Sequence, residues 1–97
     1  MATEKELKVL NKIYELSMED SRNPYKAIHY LRLVDTIFTE EIQNKYKGSK
    51  ITKMVCSYLG KMSRKDYINA AYEVTDAGYA FFLGYYLRDN GMKLLKK

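Results

Sequence analysis

Residues 49–65 read SKITKMVCSYLGKMSRK, and the way this stretch divides around a helix decides the fold. At about 100° per residue, with Ile51 at the origin, Ile51, Met54, Val55, Tyr58, Leu59 and Met62 fall within one apolar arc of about 140°. Lys50, Lys53, Ser57, Gly60, Lys61 and Arg64 share an arc of about 100° on the far side. Cys56 and Thr52 lie on one flank. The pattern predicts a helix over roughly residues 50–63 with a core face and a cationic face.

The charge of the whole chain concentrates in the same stretch. The chain has 97 residues and a net charge of +5. Residues 49–65 contribute five bases (Lys50, Lys53, Lys61, Arg64, Lys65) and no acid, and the remainder of the chain balances to zero. A basic segment inside an otherwise neutral chain implies that a polyanion docks there.

Upstream, punctuation predicts further helices. An opening helix of about residues 4–17 sets Leu7, Leu10, Ile13, Tyr14 and Leu16 mainly on one side. Asn23 suits an N-cap and Pro24, the only proline, suits the first position of a second helix carrying Ala27, Ile28 and Leu31. Thr36-Ile37-Phe38 reads as a short extended piece. Thr39 can cap a third helix, with Glu40 and Glu41 in its first turn and Ile42 and Tyr46 one turn apart. Gly48 ends that helix and Ser49 caps the next, so two helices meet across a short glycine-containing turn, as in a helix-turn-helix.

Downstream, residues 65–69 and 72–75 read as two short strands joined tightly through Ala70-Ala71. Thr75 then caps an aromatic final helix of about residues 76–89 carrying Tyr79, Phe81, Phe82, Tyr85 and Tyr86. Asn90-Gly91 ends it and leaves a basic tail. The fold class expected is mainly α with a small β-hairpin (α+β), in one domain over residues 1–97.

Several classes of function find no support. Cys56 is the only cysteine and His29 the only histidine, and their spacing suits neither a disulfide nor a metal site. Glu19-Asp20 and Glu40-Glu41 read as loop and cap residues, and there is no glycine-rich phosphate loop. No catalytic residue, metal or cofactor is expected, and no small-molecule substrate. The first residues lack the pattern of a secretory signal, and no apolar run approaches the length of a membrane span. The expectation is a cytoplasmic chain with no membrane partner.

Several motifs stand in the order found in one known group. Leu59-x-x-Met62 is followed by Lys65-Asp66-Tyr67-Ile68 and then by Tyr72-Glu73-Val74-Thr75-x-x-Gly78, with Thr39-Glu40-Glu41-Ile42 upstream. Residues 37–83 thereby resemble the winged helix-turn-helix domains of MarR-type and PadR-type transcription regulators. Asp66 stands where that family usually carries glycine, at a position that calls for positive φ, which Asp tolerates better than most residues. The tip of the expected wing carries no Lys or Arg, so no wing residue is assigned to nucleic acid.

The resemblance implies sequence-specific binding of duplex DNA by a transcription regulator, through the basic helix. Lys50, Lys53, Ser57, Lys61, Arg64 and Lys65 are the candidate contacts. Small residues let a helix approach the major groove, and long cationic side chains reach phosphates and base edges. So short a chain with so aromatic an end also suggests a homodimer, with Leu10, Tyr14, Tyr79, Phe82 and Tyr86 as candidate interface residues. The alternative is a winged-helix interaction module whose basic helix meets an acidic protein surface. The composition, rich in Lys, Ile, Tyr and Asn, suits a bacterial, plasmid or phage source.

Overall fold

The structure, a computed structural model, describes residues 2–39 and 49–95. Helix α1 (Glu4–Ser21) opens on a capping box: Thr3 Oγ1 accepts the Glu6 N–H at 3.1 Å, and Glu6 Oε1 accepts the Thr3 N–H at 2.9 Å. Two backbone donors that the first turn leaves unpaired are thereby satisfied. The helix runs past the end expected near residue 17. Ser17 is buried and donates to the Lys26 carbonyl at 2.9 Å, so this polar residue is an anchor within the helix rather than the start of a loop. Arg22, at φ 57°, supplies the left-handed cap.

Asn23-Pro24 does not start a helix. Asn23 Oδ1 accepts the Tyr25 N–H at 3.0 Å and the Asn23 carbonyl accepts the Lys26 N–H at 3.1 Å, so the pair makes a turn. The same two residue types serve both purposes, because a side-chain oxygen next to a fixed φ favours an Asx-turn as well as a helix start. Strand β1 (Ile28–His29) follows, then α2 (Tyr30–Ile37). The extended piece expected at residues 36–38 is instead the end of α2: Thr36 Oγ1 donates to the Arg32 carbonyl, and the Phe38 N–H to that of Val34. The helix expected after Thr39, and the turn at Gly48, lie outside the described residues.

Helix α3 (Ser49–Arg64) is the helix of the quoted stretch, one residue longer at each end than expected. Asp66 follows at φ 63°, the left-handed conformation anticipated for it, with its carboxylate holding Arg88 Nε at 3.1 Å and Asn90 Nδ2 at 2.9 Å. Strand β2 (Ile68–Val74) and strand β3 (Ala80–Leu87) form one hairpin, and α4 (Asp89–Leu95) closes the described chain. Three expectations are overturned here. Ala70-Ala71 is the middle of one continuous strand, and the turn sits at residues 75–79, where Gly78 takes φ 88°. The aromatic segment expected as a helix over 76–89 is strand β3, because β-branched and aromatic residues fill a half-buried pleated surface better than a helix flank. Asn90-Gly91 lies inside α4 rather than ending a helix.

The described residues thus form an α+β fold with four helices and a three-stranded antiparallel sheet in the order β1-β3-β2. Ile68 pairs with Leu87 at the base of the hairpin and Val74 with Ala80 near its tip, and the register shifts at Ala71/Tyr72, leaving Leu83 as the extra residue of β3. Gly84 pairs with His29 across β1, and a Cβ there would lie 1.8 Å from the Ile28 carbonyl oxygen. Only glycine lets the two strands come so close. The core gathers Val9, Leu10, Ile13 and Leu16 of α1, Ile28, Leu33 and Phe38, the apolar stripe of α3, and Ile68, Tyr85 and Leu87 of the sheet. Among the described residues no helix is long and apolar enough to cross a membrane.

Candidate nucleic-acid interface

The division of α3 into two faces holds residue by residue. Ile51, Val55, Leu59 and Met62 are buried, and Met54 and Tyr58 are half-buried against the same core. The Tyr58 ring meets Phe38 edge-on, with centroids 5.9 Å apart, which fixes the helix against the end of α2. That anchoring sets the opposite face outward, where Lys50, Lys53, Ser57, Lys61 and Arg64 are exposed and Gly60 is half-buried between them. Among the described residues no carboxylate pairs with Lys50, Lys53, Lys61 or Arg64. The face therefore combines free cations with two small side chains, a surface that can lie close against a polyanion.

Lys65 differs from the other candidate contacts. Its Nζ lies 2.9 Å from Glu6 Oε2, and the ammonium also sits 6.0 Å from the centre of the Tyr67 ring. The hydrogen bond to Glu6 raises the lysine above its ordinary value. Burial alone would push the Glu6 carboxyl up, but the Thr3 backbone N–H and the Lys65 ammonium outweigh it and hold the group below its usual range. Lys65 thus ties the end of α3 to the first turn of α1, and it is not one of the free cations.

The two other singled-out side chains have local roles. His29 is exposed; its Nδ1 accepts the Leu31 N–H at 3.2 Å as the cap of α2, and its ring stacks on Tyr30 at 4.8 Å. Cys56 is half-buried on the flank of α3, and burial pushes its thiol up, away from the thiolate that redox chemistry requires. Among the described residues no cluster of His, Cys, Asp and Glu could hold a metal ion.

The residues expected at a dimer interface do not come together. Leu10 is wholly buried in the core and offers no surface to a partner, which removes it from that role. Tyr14 is half-buried against the same core. Phe82 and Tyr86 lie on opposite faces of the sheet: Phe82 pairs with Tyr72, while Tyr86 pairs with Asn69 and meets its side chain at 3.3 Å. Tyr79 stands at the hairpin tip, 70% exposed.

The tip itself is the feature that sequence reasoning missed. Tyr72 (63% exposed), Val74 (66%) and Phe81 (56%) join Tyr79 there. The hairpin carries Glu73 and Asp76 and no base between residues 68 and 87. The alternation Tyr72-Glu73-Val74 was the available signal, but with the hairpin closed at Ala70-Ala71 these residues were matched to residues 65–69, and their true partners Ala80, Phe81 and Phe82 were read as helix. Comparison with protein-family models, with curated proteins and with solved structures returned no match for this chain.

Proposed function

We propose that this chain is a winged helix-turn-helix protein that binds duplex DNA through the solvent face of α3 and acts as a transcription regulator without catalytic activity of its own. The observation that carries the reading is the exposed set Lys50, Lys53, Lys61 and Arg64, which no carboxylate among the described residues pairs, gathered on one side of a helix whose other side is locked into the core. The arrangement of the elements supports it: a strand between the first two helices, α3 ahead of a hairpin, and the sheet order β1-β3-β2. In a winged helix the helix ahead of the hairpin is the one that enters the major groove. Cations there gain affinity by displacing counterions from phosphates, and Ser57 stands among them where a short hydroxyl can meet a base edge.

The test is a titration of binding to random-sequence duplex DNA against salt. A cationic docking face predicts that log affinity falls linearly with log salt concentration. An affinity that does not change with salt, or no binding at low salt, would reject the reading. A second reading, docking of this helix on an acidic protein surface, is favoured by the hairpin, whose acidic and apolar tip is ill suited to lie against phosphates.

A further inference from the structure

Among the described residues, four of the six exposed large hydrophobic side chains (Tyr72, Val74, Tyr79 and Phe81) gather at the hairpin tip, beside an open strand edge. Strand β2 is the outer strand of the sheet. The Thr75 N–H bonds the Tyr79 carbonyl across the hairpin, and the Tyr67 carbonyl accepts from Arg88, so the odd-numbered residues of this strand turn their backbone groups toward β3. The even-numbered residues turn theirs outward. Asn69 Oδ1 occupies the Ala70 N–H at 2.9 Å, and beyond it no backbone group among the described residues pairs with the outward groups of Tyr72 and Val74. Natural edges are blunted by lysine, by proline or by a covering segment. The hairpin has no lysine, arginine or proline.

We propose that two copies of this chain pair through the outer edges of β2, antiparallel, about a two-fold axis at Tyr72. This register bonds the backbone of Tyr72 to that of Tyr72 in the second copy and sets Val74 of each copy opposite Ala70 of the other. Tyr72 forms an aromatic cross-strand pair with its own copy, Val74 meets the small Ala70, and each Glu73 falls opposite Ala71, so the like charges are not placed face to face. A two-fold axis at Glu73 would oppose the two carboxylates directly. The pairing is self-complementary, as a two-fold interface must be. It displaces Asn69 from Ala70, whose N–H passes to the Val74 carbonyl of the second copy.

Area sets the strength. Three rings and a valine, each more than half exposed, amount to roughly 500 Å² of surface, taking 150–250 Å² per aromatic side chain. A standard interface takes about 800 Å² from each partner. Tyr79 and Phe81, on the far face, stay at the rim, so the dimer depends on edge hydrogen bonds as well as apolar contact and is concentration-dependent. The inference requires no nucleic acid, so it stands or falls separately from the DNA reading.

The test is sedimentation velocity without DNA from ~1 µM to ~500 µM chain, with oxidative cross-linking in a Cys56→Ser background. The sedimentation coefficient should rise with concentration toward that of two chains, and Tyr72→Lys should abolish the rise while leaving the circular dichroism spectrum unchanged. Tyr72→Cys should form a disulfide-linked dimer on oxidation, because a hydrogen-bonded antiparallel pair holds its Cα atoms about 5.5 Å apart. Glu73→Cys, displaced along the strand from its own copy, should cross-link far less. A one-chain species over the whole range would overturn the proposal. So would a dimer that survives Tyr72→Lys, or one that cross-links equally well at both positions. Should Tyr72→Lys fail to fold, the parent's sedimentation and the two cysteine variants decide.

Discussion

Lys65 Nζ lies 2.9 Å from Glu6 Oε2 and joins the end of α3 to the first turn of α1 across 59 residues of sequence. Glu6 is almost wholly buried, and its two oxygens are divided between the Thr3 N–H and the lysine. The carboxylate therefore serves the helix cap and the orientation of the basic helix together. A buried charge keeps its ionised form only with such partners.

The pH dependence of stability follows from this pair. The Glu6 carboxyl is held below its ordinary 4.5 in the folded chain. A group lowered in this way contributes stability that is present above its unfolded value and is lost as pH falls through the folded one. Melting temperature should thus hold steady between that ordinary value and neutral pH and decline below it, and Glu6→Gln should remove part of the decline. Thermal melts of the two proteins across the acid range provide the comparison. Identical acid slopes would show that this pair carries no linkage.

Two glycines should respond in opposite directions. In Gly84→Ala the new methyl meets the β1 backbone, which cannot give way as a side chain can. The expected cost is about 1–3 kcal/mol, read as a fall in melting temperature of roughly 4–8 °C per kcal/mol. In Gly60→Ala nothing lies within 4 Å of the added carbon. Replacing a glycine inside a helix should raise stability by about 0.5–1 kcal/mol. Equal effects at the two sites would contradict the close approach of β3 to β1.

What was legible in the sequence divides along physical lines. Helix α3 was legible because its apolar residues repeat at a single period and its charges repeat on the other side. The segment after Thr75 was not. Thr75-Asp76 resembles a helix start, and Tyr79, Phe82 and Tyr86 happen to fit helical spacing. In the structure the Thr75 hydroxyl accepts the Tyr79 N–H at 3.1 Å inside a hairpin turn, so the residue that reads as a cap closes a loop. The aromatic crowding of residues 79–86 was the better guide, since such residues favour strands. The role of Lys65 was hidden for a different reason: Glu6 is distant in sequence, and only the packing of α1 against the rest of the fold brings them together.

Cys56 should prove inert. Burial pushes its thiol above the ordinary 9.0, which leaves little thiolate at neutral pH. Alkylation of the folded chain should be slower than alkylation of the same chain in denaturant, and Cys56→Ser should retain both fold and DNA affinity. Fast alkylation in the folded state, or peroxide-sensitive binding that the serine variant loses, would assign the thiol a redox role.

The decisive prediction separates the free cations of α3 from the tethered one. Lys53 and Lys61 are exposed and pair with no acid among the described residues, whereas Lys65 is held by Glu6. Replacing Lys53 and Lys61 together with Ala should weaken duplex binding and flatten the salt dependence by roughly one unit of slope for each phosphate no longer neutralised. Melting temperature should change little, because both side chains lie opposite the buried Ile51, Val55, Leu59 and Met62. Lys65→Ala should show the reverse: lower stability, since Glu6 loses a partner, and a salt slope close to the parent's. Ser57 stands between Lys53 and Lys61 on the same face, so Ser57→Gln should alter the preferred sequence more than the affinity for random DNA. Salt titrations, melts and a selection from randomised duplexes measure these three properties independently. If the double variant keeps the parent's affinity and slope, α3 is not the docking face and the acidic-protein reading takes its place. If Lys65→Ala flattens the slope instead, the ion pair with Glu6 opens on binding and Lys65 returns to the set of DNA-binding residues.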